Sequence, residues 1–230
     1  MLRGIERPLL VLSPHLDDAA LSCGRLLADA PGALVVTIFA GRPPAGAPLT
    51  AWDAAAGFAF GDDVIGARRA EDAAALAVLG ARPLWLGFRD AQYGGADPPR
   101  AIADRLVPLV AAARGAVLAP LGLFHSDHVR ARDAALLALR DAPGGPPCLL
   151  YADAPYARRP ELLAAGLAEL RARGLRLVPV RPDTRGRAAP RAAKQRALAC
   201  YRSQLRALAT PGRPGPHPGR ERFWRVLELR

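Results

Sequence analysis

The sequence predicts an α/β fold in which a mainly parallel sheet lies between layers of helices, and two observations carry that prediction. Short apolar runs alternate with longer Ala/Leu/Arg segments of helical character, the pattern of βαβ units. Segments bearing His and Asp stand directly behind the first and fourth of those runs, where the carboxyl ends of parallel strands form a ligand crevice. The expected architecture is a three-layer, Rossmann-like sheet of order 3-2-1-4-5 with edge additions, and residues 1–230 are read as a single domain.

In chain order, the first strand is Pro8 to Ser13, built on the apolar run Leu9-Leu10-Val11-Leu12. Asp17 and Asp18 then open a helix to Ala30, because acidic side chains cap a helix start and suit its dipole. A second strand, Ala33 to Ala40, leads into a loop from Gly41 to Asp63. That loop is too long for a plain βα connection and is expected to be functional or mobile. The next helix, Ile65 to Leu79, ends at Gly80 as a C-terminal cap would. Strand Leu84 to Phe88, helix Pro99 to Ala113, strand Ala116 to Pro120 and helix Ser126 to Arg140 follow. Strand Cys148 to Ala152 precedes a helix from Pro160 to Arg173, closed by Gly174. Strand Arg176 to Val180 and a long helix from Arg187 to Ala209 complete the alternation. Pro211 to Gly219 is a rigid Pro/Gly loop, and Phe223 to Leu229 adds an edge strand or a short helix.

Composition bounds the function. Hydrophobic residues make up 51% of the 230 and charged residues 23%, as in an ordinary globular protein. No apolar run approaches the roughly 18 residues of a membrane span. Arg3 and Arg7 before an apolar run have the look of a signal peptide, but cleavage there would destroy the first His motif, so the chain is expected to be cytoplasmic. Cys23, Cys148 and Cys200 form no CxxC pair and are read as small buried residues. The net charge of +11 admits an acidic partner such as nucleic acid. Yet Lys194 is the only lysine and Asn is absent while Arg, Ala, Gly and Pro abound, a bias expected from GC-rich codons. No basic run alternates with aromatics to make a stacking platform.

The chain has 4 histidines, and three stand in two motifs: Pro14-His15-Leu16-Asp17-Asp18, and His125-Ser126-Asp127-His128. In the expected order the first and fourth strands are neighbours, so motifs about 110 residues apart would meet at one crevice. Catalytic zinc takes three ligands from His and carboxylates and keeps a position for water, whose pKa it lowers to about 7. Two His and one Asp meet that count. Asp17 is then free to act as general base, and His125, if protonated, to stabilise an oxyanion. Read singly, paired aspartates are common helix caps and a lone HSDH is a solvated loop. A dinucleotide site is disfavoured, since the first turn lacks GxGxxG and two aspartates would repel a pyrophosphate. A serine hydrolase lacks its GxSxG elbow.

These motifs resemble the PHxDD and HxDH motifs of the LmbE-like, or PIG-L, zinc-dependent N-acetylglucosaminyl deacetylases. The resemblance extends to Arg68 and Glu71 in ARRAEDAAALAVLG, to Asp90 after the third strand and to KQRALACYRSQ from Lys194 to Gln204. It implies His15, Asp18 and His128 as zinc ligands, Asp17 as general base and His125 as the residue holding the tetrahedral oxyanion, with Asp127 orienting His125. Arg68 and Asp90 match positions that grip sugar hydroxyls. The implied reaction is hydrolysis of an acetyl amide on an amino sugar or glycoconjugate, giving acetate and a free amine. Leu16 and Ser126 stand where the commoner family form has Pro, and Arg25 replaces the second glycine of a GG pair, departures that indicate a sub-branch with its own substrate.

Other readings remain open from the residues alone. The same site could hydrolyse another amide or an ester, and His/Asp sites accept iron, cobalt and manganese besides zinc. A basic nucleic-acid-binding protein with a vestigial metal site is the rival from another class. Arg68 and Glu71 at i,i+3 read by default as a surface salt bridge worth little. Tyr151, Asp153 and Tyr156 lie at the rim of the fifth strand, where tyrosines usually serve packing. Trp52 and Phe58 either form an apolar lid or pin the long loop. His217 reads as exposed, and Lys194 and Gln204 as surface features, although the family match keeps a structural role open for Lys194.

Overall fold

In the computed structural model, residues 5–142, 144–181, 188–213 and 220–227 are described; His217 lies outside them. The strands are β1 (Leu10–Ser13), β2 (Leu34–Thr37), β3 (Arg82–Trp85), β4 (Val117–Pro120), β5 (Cys148–Tyr151), β6 (Leu177–Val180) and β7 (Phe223–Val226). They form one sheet in the order β3-β2-β1-β4-β5-β7-β6. The first five are parallel, as expected, while β7 is antiparallel to both β5 and β6. The apolar stretch after Arg222 is therefore a strand, but an inner one, and β6 is the edge. The third strand starts earlier than expected and includes Pro83, which an edge strand tolerates because one side of its backbone needs no ladder donor.

The helices are α1 (Asp18–Ala28), α2 (Ala51–Ala56), α3 (Val64–Val78), α4 (Pro99–Ala111), α5 (Ser126–Asp141), α6 (Pro160–Ala172), α7 (Ala188–Leu198) and α8 (Arg202–Leu208). The expected pattern is corrected at two places. The 41–63 loop carries α2, started by Thr50, whose side chain accepts from the Asp53 N–H. The expected helix over 187–209 is broken into α7 and α8 around Tyr201. Alternation of side chains along each strand supplies both faces of the sheet. Leu10 and Leu12 join the core beneath α4, α5 and α6, whereas Leu9 and Val11 join the core beneath α1, α3, α7 and α8.

Polar contacts around Lys194 and Glu71 lock this second layer. Lys194 is buried, not a surface residue: its Nζ donates to Leu21 O (2.7 Å) and to Glu221 Oε1 (2.6 Å), and Glu221 accepts the Arg25 and Leu26 N–H groups. A buried ion pair survives only when its remaining polar atoms are satisfied, and here the α1 backbone does that. Gly24 makes room for the lysine, since a Cβ there would lie 2.9 Å from Lys194 Cγ. Glu71 does not pair with Arg68 but accepts from the N–H and hydroxyl of Ser203 at the start of α8. Of the cysteines, Cys23 and Cys148 are buried as expected, and Cys200 is half-buried.

Asp72 of α3 accepts from Trp85 Nε1 and Tyr201 OH, each at 2.8 Å. Burial pushes its carboxyl up to about 7 against the pull of those two donors. The folded chain therefore holds a proton that the unfolded chain releases near pH 4. The resulting stability is present below that pH and lost as pH rises through about 7. Asp72→Asn should remove this decline: in urea unfolding, the wild type should lose a few kcal/mol relative to the variant between pH 5 and pH 8. Parallel curves for the two proteins would show that Asp72 is ionised throughout.

Candidate metal centre and cleft

Two neighbouring strands end at the site. After β1, Ser13 Oγ donates to His15 O at 2.7 Å and accepts the Ala19 N–H, fixing the turn into α1. Asp17 is the residue before the helix and its side chain makes no capping bond, so its carboxyl lies free in the cleft wall. The His15 N–H donates to Asp18 Oδ2 (2.9 Å), and His15 Nδ1 lies 3.2 Å from the same oxygen. After β4, His125 precedes α5 and accepts the Asp127 N–H through Nδ1. His128 follows on α5, its Nε2 3.2 Å from Asp18 Oδ2.

His15, Asp18 and His128 thus converge. Donor separations of 3.2 Å fit the edge of a tetrahedron with metal–ligand bonds of about 2.0–2.1 Å, roughly 3.3 Å. The second ring nitrogen of each histidine is held by a buried carboxylate. His15 Nε2 lies 3.1 Å from Asp127 Oδ2, and His128 Nδ1 lies 2.7 Å from Asp153 Oδ1. Such outer carboxylates fix tautomer and ring orientation in metal sites. These three residues could hold a divalent metal. His15, His125 and Asp127 form a second close group, but the Asp127 oxygens are already taken by His15, the Ala91 N–H and Arg130.

The electrostatics of the floor agree with a cation site. Burial works against the charged imidazoles, yet Asp90, Asp127 and Asp18 hold His15 well above its ordinary range, and Asp18 and Asp153 raise His128 to about 10. Burial also opposes ionisation of Asp18, but His128 and His15 hold it well below the usual carboxylate range. Burial and the Asp18 charge push Asp17 up to about 7. His125 is lowered by burial and by the two other histidines. A chain of net charge +11 has therefore gathered carboxylates here, and a metal would displace the protons they hold on the imidazoles.

The cleft above this floor has a volume of about 320 Å³. Arg68 and Asp90 both line it. Arg68 is not a surface residue: it is buried, 2.8 Å from Asp53 Oδ1 and within reach of Tyr93 OH, with Phe58 over its guanidinium. Asp90 caps the short 3₁₀ turn Ala91–Tyr93 and lies 3.5 Å from His15 Nε2. Asp127 stands between His125 and His15. Its backbone N–H meets His125, but its carboxylate turns to His15 and stands 3.9 Å from His125 Nδ1.

Several residues that read as rim or surface positions in the sequence belong to the site or its support. Gln204 is buried, accepts from Trp52 Nε1 at 3.2 Å and lines the cleft with it. Asp153 is fully buried behind His128; the only signal for it was an acid immediately past a strand end. Tyr151 does serve packing, donating to Leu12 O, whereas Tyr156 faces the cleft. No helix among the described residues is long and apolar enough to cross a membrane.

Comparison with known proteins agrees with this geometry. Residues 10–139 match the family model described as PIG-L, GlcNAc-PI de-N-acetylase. Among solved structures, the A40926 pseudoaglycone deacetylase Dbv21 is 31% identical with a TM-score of 0.76, over 96% of this chain and 98% of that one. The zinc-inhibited form of teicoplanin deacetylase Orf2 is 27% identical with a TM-score of 0.73, over 95% and 97%. N,N'-diacetylchitobiose deacetylase from Pyrococcus horikoshii, at 17% identity and a TM-score of 0.54 over 89% and 74%, shares the fold. No curated protein matches significantly.

Proposed function

The chain belongs to the PIG-L family of GlcNAc-PI de-N-acetylases, and on that premise we propose that it is a zinc-dependent deacetylase acting on an N-acetylated amino sugar carried by a larger glycoconjugate. The observation that carries this reading is the meeting of His15 Nδ1, Asp18 Oδ2 and His128 Nε2 beside the unbonded carboxyl of Asp17. A divalent metal held by His15, Asp18 and His128 supplies Lewis acidity toward water and the acetyl oxygen. Asp17 takes the proton from the attacking water and delivers it to the departing amine. His125 accepts a backbone N–H at Nδ1, so the neutral ring carries its proton on Nε2 and donates it to the oxyanion. It needs no second proton for that task.

Arg68, fixed by Asp53 and Tyr93, and Asp90 meet the sugar hydroxyls. The deacetylase neighbours whose names carry teicoplanin and A40926 support a glycoconjugate over a free sugar. We read residues 1–230 as one domain, supported by a sheet that takes strands from Leu10 to Val226. Incubating the zinc-loaded protein with N-acetylglucosaminides and assaying acetate and free amine tests the reaction. Turnover of acetate esters with none of amides would move the same site to the ester reading.

The outer carboxylate gives a separate prediction. Asp153→Asn cannot accept from both His128 Nδ1 and the Leu123 N–H, as Asp153 does. Zinc affinity should fall by about 10–100-fold in competition with a chelating dye. Equal affinity would show that the His128 ring is held without Asp153.

A further inference from the structure

Among the large exposed hydrophobic side chains of the described residues, Phe124 is the one that lines the cleft, and it is 68% exposed. Its φ is +63°, a region that residues with a bulky side chain rarely enter and that costs energy unless the surroundings impose it. They do so here. The His125 N–H donates to Leu123 O at 2.7 Å across Phe124, closing a γ-turn of the rare positive-φ kind. The Leu123 N–H in turn donates to Asp153 Oδ2 at 2.9 Å, while Asp153 Oδ1 holds His128. One buried carboxylate thus fixes both a floor histidine and the turn that presents the phenyl ring.

That ring continues into a wall. Phe124 and Tyr156 lie 5.4 Å apart at 40°, and Tyr156 stands edge-on to His128 at 5.4 Å. Pro155 completes this side of the cleft. The wall offers ring faces beside a floor of carboxylates and imidazoles, and strain is spent to keep Phe124 in solvent. Two rings tilted at 40° leave room for a third in an offset or edge-to-face contact.

We propose that Phe124 and Tyr156 form an aromatic subsite that stacks on an aryl group attached to the amino sugar, so that aryl glycosides are preferred over alkyl ones. This rests on the deacetylase reading for the sugar itself, and the test separates the two. Calorimetry on the zinc-loaded protein compares phenyl β-glucoside with methyl β-glucoside, neither of which carries an acetyl group. The wild type should bind the phenyl glycoside about tenfold more tightly. Phe124→Leu and Tyr156→Ala should each abolish that preference, and Phe124→Tyr should retain it. Phe124→Gly, which the positive φ suits, should also abolish it in a chain that folds without turn strain. Equal binding of the two glycosides by the wild type, no binding of either, or a preference that survives all three disruptive variants overturns the subsite. Acetate release from phenyl N-acetyl-β-glucosaminide is measured in parallel. Its absence would overturn the deacetylase reading, while the calorimetric preference still decides the wall.

Discussion

Asp17→Asn is expected to keep the metal at the wild-type level and to release acetate about 10²–10⁴-fold more slowly, the usual worth of a positioned general base. The substitution is nearly isosteric and costs no helix cap, because the Asp17 side chain makes no capping bond. It also leaves His15, Asp18 and His128 untouched. What it removes is a carboxyl of the cleft wall that lies outside the converging donor set and makes no capping bond. Acetate release and metal content measured on the same preparation check both halves. Turnover within a few-fold of wild type would take the proton-transfer role away from Asp17.

His125→Ala should lower kcat by about 10²–10³-fold with KM close to wild type, because a donor aimed at the oxyanion acts in the transition state and not on bound substrate. A second effect must be separated from this. His125 Nδ1 caps α5 by accepting the Asp127 N–H, so Ala there should also cost about 1 kcal/mol of stability. His125→Asn retains a side-chain acceptor for the cap but is too short to carry a donor where Nε2 lies. It should therefore recover stability in thermal unfolding without recovering kcat. A KM rise with kcat unchanged would instead place His125 in substrate binding.

The convergence of His15, Asp18 and His128 is legible in the sequence, because it depends on strand order and the order follows from the βαβ alternation. Each motif stands behind an apolar run, and only adjacency of β1 and β4 brings them together. Asp127 shows where such reasoning stops. The family resemblance implies that it orients His125, but the first turn of α5 aims the carboxylate at a histidine from the other strand. Asp153 has no partner within its own segment, so nothing near it in sequence marks it as the support of His128. Lys194 is a similar case. Its burial needs Glu221 and the missing side chain of Gly24 together, and a single lysine among arginines reads as surface. Arg68 reads as half of a surface pair because helical spacing is local, whereas its partner Asp53 comes from α2, a short helix within a stretch that reads as loop.

The sub-branch departures are consistent with these contacts. Leu16 and Ser126 alter neither the donor atoms nor their carboxylate supports. Arg25 stands next to Gly24, the position that must stay small for Lys194 to cross α1. The rival reading as a basic nucleic-acid-binding protein predicts binding that weakens steeply with salt and no dependence of function on His15. The acidic cleft floor runs against it.

The most direct test of the account is the metal content of four purified proteins: the wild type, His15→Ala, Asp18→Ala and His128→Ala. Each is loaded with zinc, dialysed against a weak chelator and analysed by mass spectrometry. The account predicts close to one zinc per chain in the wild type and strongly reduced metal in all three variants, each with a circular dichroism spectrum like that of the wild type. Equal metal in all four folded proteins would contradict it, because the three donor atoms that meet between β1 and β4 would then not be the ligands.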